Sequence, residues 1–163
     1  MPMKGETFAA YSDESGIFSH RYQTIAVVSG PETMLAQLRS NLQGILSQNE
    51  INEVKFALIR THHPMIEAAR AFGHCMVEIL TSTTAFRADI VTWDTQDSRH
   101  AIHGRNSIAN LERMYYKVLT HAARQWNQVE WSFHPDKNSQ VHWYEIADFL
   151  NRTRLAKRVA NAP

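Results

Sequence analysis

One cysteine in 163 residues, Cys75, excludes any internal disulfide. It sits in an apolar helical pattern, which reads as a small core residue rather than a nucleophile. No uninterrupted apolar run approaches the ~20 residues that would cross a membrane, so no membrane partner is expected. Met1-Pro-Met-Lys-Gly-Glu6 leads into a strand with no apolar signal core, and with the lone cysteine this points to the cytoplasm. Charge of one sign is lacking too. Seventeen Lys and Arg face sixteen Asp and Glu, a formal net charge of +1, so bulk charge selects no partner. Only the tail is biased, with Arg152, Arg154, Lys157, Arg158 and no acid after Asn151. Such a tail suits phosphates or a solvated helix end equally well. The six glycines are scattered and form neither a Walker nor a Rossmann pattern, and no Gly-x-Ser-x-Gly elbow is present. Nine histidines include His62-His63, His100-x-x-His103 and His134, yet no His-Glu-x-x-His pair that would build a zinc site.

What is present is a patterned chain long enough for one proper core. The reading is a single α/β domain over residues 1–163. Thr7 to Ser12 predicts a strand, and Ser15-Gly16 supplies turn residues. Arg21 to Ser29 predicts its hairpin partner, closed by Gly30-Pro31. Leu35, Leu38, Leu42, Ile45 and Leu46 then form one apolar stripe of a helix reaching about residue 48. Glu53-Val-Lys-Phe-Ala-Leu-Ile59 stays ambiguous between strand and helix. A helix from Pro64 to about Thr81 is expected to turn Ile66, Ala69, Phe72, Met76 and Leu80 inward. Phe86 to Trp93 alternates as a strand, and Thr95 to Arg105 reads as a loop. Ser107 to Trp126 is the strongest helix, with Ile108, Leu111, Tyr115, Val118, Leu119 and Ala122 on one side. Val129 to Phe133 predicts a late strand. Ser139 is the expected cap of a last helix carrying Val141, Ile146, Phe149 and Leu150. A hairpin followed by alternating helices and strands gives a mixed sheet flanked by helices. Trp93, Trp126, Trp131 and Trp143 could stack on bases, but three of them fall inside strand or helix patterns that favour packing.

The carboxylates carry the chemistry. Asp13 and Glu14 stand where the first strand leaves the sheet, Glu53 in the short Glu-Val-Lys segment, and Asp136 after the late strand. An acid at a strand end is held by rigid backbone yet meets solvent, which suits a divalent cation that must also meet a substrate. Phosphodiester cleavage by metal ions uses several such acids at one sheet edge. Oxygen donors with water completing the shell select magnesium or manganese over zinc. The competing reading of Asp13-Glu-Ser-Gly16 is a plain hairpin turn.

Tyr11-Ser-Asp-Glu-Ser-Gly16, Glu53-Val-Lys55, Tyr115-Tyr116 in a long helix, and Phe133-His-Pro-Asp-Lys-Asn-Ser139 together resemble a bacterial family, domain of unknown function 3800. Order and spacing fit along almost the whole chain. The resemblance implies a ribonuclease H-like fold and a metal-dependent, nuclease-like site using Mg2+ or Mn2+ on nucleic acid. It implies Asp13 as the central metal ligand and Glu14 as a second ligand or a backbone anchor. Glu53 would complete the shell, Lys55 would pair with a carboxylate or the scissile phosphate, and Asp136 would be the third ligand. Family members close with a further strand and a helix bearing a Leu-Gln-Leu-Ala-Asp-like motif. Either Glu145-Ile-Ala-Asp148 is that motif brought forward, making Asp148 the last ligand, or the last strand and helix are missing. The second alignment is favoured because Val141 to Leu150 follows Asp136-Lys-Asn directly. The chain is then a C-terminally shortened member lacking one acid. A catalytically silent interaction or structural module with the same fold is the alternative to a nuclease. A shortened sheet also leaves a strand edge uncovered, which predicts a homodimer on that edge or on the apolar face of the last helix.

Overall fold

In a computed structural model the fold is described for residues 7–17, 20–55, 58–100, 102–125, 130–136, 138, 140–152 and 158–159. The elements are β1 (Thr7–Ser15), β2 (Tyr22–Pro31), α1 (Glu32–Gln48), α2 (His63–Ser82), β3 (Arg87–Asp94), α3 (Ser107–Gln125), β4 (Glu130–Pro135), α4 (Trp143–Arg152) and β5 (Arg158–Val159). They form one mixed sheet in the order β3-β2-β1-β4-β5. The β1–β2 and β2–β3 pairs are antiparallel, and β4 lies parallel to β1 and to β5. The hairpin expected around Gly16 is present. Gly16 adopts φ +73°, and a Cβ there would meet the Tyr22 carbonyl oxygen at 2.6 Å, so only glycine fits this turn.

Strand alternation splits the sheet into two faces. Phe8, Ala10, Ile25, Val27, Trp93, Trp131 and Phe133 meet α3 and α4 in the larger core. Ala9, Leu35, Leu38 and Phe86 form the smaller one with α1 and α2, with Cys75 packed against it. Trp93, Trp131 and Trp143 are buried packing residues, as their patterns suggested. Trp126 and the proposed cap Ser139 lie outside the described residues.

Several expectations need correction. The first strand runs on through Ser15, so Asp13 and Glu14 are ladder residues opposite Ala26 and Ile25 rather than the start of a turn. Glu53 to Lys55 belongs to neither strand nor helix. On α2 the buried residues are Met65 and Ala68, one position before the expected Ile66 and Ala69, because apolar residues crowd that helix on more than one side. Phe149 points outward and is half exposed, whereas Ile146 and Leu150 are buried. Val141 is buried but precedes α4. The last strand is not missing: β5 follows α4 and pairs with β4, although it is two residues long.

Candidate functional site

β1 and β4 run side by side from Thr7 opposite Glu130 to Ser12 opposite Pro135. Proline has no N–H, so β4 skips one donor there. The next residue restores the ladder: the Asp136 N–H donates to the Ser12 carbonyl at 2.9 Å. Asp136 thereby takes the register position next to Asp13 on a neighbouring strand, and adjacent strands run about 5 Å apart. Two residues earlier in the same register, Tyr11 and His134 stack with centroids 4.7 Å apart, which fixes which face this part of the ladder presents. Asp13 is exposed, and its carboxylate accepts the Glu14 N–H at 2.7 Å. Two sequence-distant acids thus stand at the C-terminal ends of two neighbouring parallel strands.

Glu14 points to the opposite face, as alternation requires. The Asn138 side-chain amide donates to its Oε1 at 3.4 Å, and the Asn138 carbonyl accepts the Trp143 indole N–H at 3.2 Å. The fully buried Tyr115 stands nearby, its ring edge-on to Trp143 and Phe133. Burial pushes the Tyr115 phenol above its usual range, and adjacent Glu14 raises it further. Neither the Tyr115 nor the Ser12 hydroxyl makes an aligned hydrogen bond to a described group. On the next turn of α3, Glu112 accepts the His142 backbone N–H at 2.9 Å and its ring nitrogen at 2.8 Å. A carboxylate so placed ties α3 to the N-terminus of α4. Glu14 is therefore built into the packing that anchors the site.

The remaining expected residues lie apart. Glu53 and Lys55 form their own exposed ion pair at 2.7 Å, and Glu53 raises the Lys55 pKa. Among the described residues no three His, Cys, Asp or Glu side chains are placed to hold a metal ion together, so Glu53 does not join Asp13 and Asp136. Asp148 pairs with Arg152 one turn along α4. Carboxylate oxygens are donors of the kind that suit magnesium, which binds through one or two carboxylates and keeps several waters.

Sequence reasoning put Tyr115 on the core stripe of α3 and Asn138 in a motif, but gave neither a role at the site, and it did not single out Glu112. The roles of Asn138 and Glu112 could not be read, because their partners Trp143 and His142 are set by the packing of α4.

No family model matches the chain. Two relatives from the archaeon Methanothermobacter thermautotrophicus do, the uncharacterized proteins ORF2 and ORF2′. ORF2 is 33% identical over 153 residues, covering 90% of this chain and 54% of the relative. ORF2′ is 32% identical over 150 residues, covering 88% and 53%. The chain thus spans about half the length of the curated relatives it matches. Among solved structures, that of a complex of PCNA with ribonuclease HII from Archaeoglobus fulgidus aligns with a TM-score of 0.53 at 12% identity, over 94% of this chain and 61% of that one. At that identity the likeness is one of fold: a mixed sheet flanked by helices, as in a ribonuclease HII structure.

Proposed function

We propose that this protein is a ribonuclease H-like hydrolase of phosphodiester bonds in nucleic acid, with Asp13 and Asp136 as the ligands of a Mg2+ or Mn2+ ion. The observation that supports it is the Asp136 N–H to Ser12 carbonyl bond of 2.9 Å, which continues the β1–β4 ladder to the residue next to Asp13 on a rigid strand end. A bound divalent ion supplies an activated water and neutralises charge on the departing oxygen. Asp13 and Asp136 hold the position, and the Glu14 N–H to Asp13 bond orients one of them. Glu14 serves as a positioning residue through Asn138, not as a ligand. Lys55, already paired with Glu53, is given no step.

The silent-module reading draws on one observation, the lack of a third ligand among the described residues. Incubation with single- and double-stranded DNA and RNA separates the two. Cleavage that needs Mg2+ or Mn2+ and stops in EDTA is expected. No cleavage, together with no metal-induced rise in melting temperature, would establish the silent module instead.

Of the two surfaces expected for a homodimer, the apolar face of α4 is already spent, because Trp143, Ile146, Ala147 and Leu150 are buried within the chain. The other surface, the edge expected from a missing last strand, is the one that the two-residue β5 covers in part. Light scattering that shows a monomer at high micromolar concentration would remove the dimer. No helix among the described residues is long and apolar enough to cross a membrane.

A further inference from the structure

Away from the carboxylate pair, a groove of about 930 Å³ runs between β3 and α3. Its two walls differ in chemistry. The helix wall carries Arg113, Lys117 and Arg124, and the loop before α3 adds Arg105. None of these four forms an ion pair with an acid among the described residues. At 1.5 Å per residue the helical cations extend over about 16 Å, far more than one phosphate group needs and enough for several consecutive phosphates of one strand. The other wall is the strand at one end of the described sheet, with Asp89 and Asp94 along it and Asp97 in the turn that follows. Asp89 pairs with Arg87 at 2.5 Å, Asp94 with Arg21 at 2.6 Å and Asp97 with Arg99 at 2.5 Å.

We propose that this groove binds a single strand of nucleic acid, its phosphates along α3 and its bases against β3. A row of cations facing a wall of main-chain edge groups and carboxylates matches a polymer with anionic backbone on one side and hydrogen-bonding base edges on the other. An acidic peptide added to the edge of β3 would instead bring its carboxylates towards Asp89, Asp94 and Asp97. Arginine predominates among the four cations, and its fork suits phosphate oxygens. Such sites bind with little sequence preference and marked salt dependence. The groove does not depend on the carboxylates being catalytic.

The test is fluorescence anisotropy of labelled oligothymidylate and oligouridylate in EDTA, where cleavage does not intervene. Wild-type protein is expected to bind with an affinity that falls as salt rises. The double substitution Arg113→Glu with Lys117→Glu should weaken binding at least ~10-fold, since it replaces two phosphate contacts by repulsion. The corresponding double alanine variant should reduce the salt slope by about 1.4, from about 0.7 per contact on a single strand. Arg124→Ala offers the same reading with a single exposed side chain. Unchanged affinity in these variants at unchanged melting temperature overturns the proposal. So does the absence of binding by wild type, or an oligoglutamate that competes as well as the oligonucleotide. Binding without cleavage in Mg2+ upholds the groove and removes only the nuclease reading. Cleavage with binding indifferent to the charge reversals does the opposite.

Discussion

Asn at position 13 is expected to abolish metal-dependent cleavage while leaving the fold intact. The substitution keeps the shape of the side chain and an oxygen that can still accept the Glu14 N–H, a bond of 2.7 Å in the native chain. It removes the negative charge that holds a divalent ion. Altering groups that merely support metal ligands costs 10–100-fold, so loss of a ligand should exceed ~100-fold in rate. Without metal, two neighbouring carboxylates repel one another, so Asp13→Asn should melt in EDTA at the wild-type temperature or above it. Equal cleavage by wild type and variant would take Asp13 out of the mechanism. A large drop in melting temperature would make its role structural.

The largest effect on stability is expected at Tyr115. Its ring is fully buried and lies 4.8 Å from Trp143 and 6.1 Å from Phe133, centroid to centroid. Truncation to alanine opens a cavity between α3, β4 and α4 and should cost ~3–5 kcal/mol, the range for large buried aromatics. Tyr115→Phe keeps the ring and removes a hydroxyl that makes no aligned hydrogen bond, so its cost should stay below ~1 kcal/mol. Denaturant titration of both variants checks the pair. A phenylalanine cost near that of alanine would mean that the hydroxyl is firmly bonded after all.

The same residue gives a signed pH effect. Burial, aided by Glu14, raises the Tyr115 pKa in the folded state above its ordinary value near ~10. Above that value the unfolded chain loses the phenolic proton and the folded chain keeps it. The contribution is thus complete below pH ~10 and is lost as pH climbs towards the raised folded value. Wild type should therefore lose more stability than Tyr115→Phe between pH 9 and 11, roughly the span of ordinary tyrosine titration.

The residues themselves carried much of the fold. β2 and α3 have strong periods, and the structure places them within two residues of the expected bounds where it describes them. Period alone does not say which face is covered. In β3 the alternation was correct, yet Ile90 is 70% exposed and Asp89 is buried, because α3 lies on the Asp89 side. Phe149 fails for a related reason: α4 is short, and Tyr116 reaches it only edge-on from the side. The pairing of Asp13 with Asp136 was suggested by their placement at element ends and by family resemblance. It depends on a parallel contact between strands more than a hundred residues apart, which topology alone supplies. Glu53 was expected to complete the shell and instead pairs with Lys55, since an irregular connection has no period from which to read its position. The cations of α3 carried no signal in the sequence, and only the position of β3 makes them one wall of a groove.

The most direct test of the metal site is anomalous diffraction from a crystal soaked in Mn2+. A peak within coordination distance of both Asp13 and Asp136, absent from Asp13→Asn crystals under the same soak, is the predicted result. A peak confined to other acids, such as the Glu53 region, or none at all at millimolar Mn2+, would contradict it.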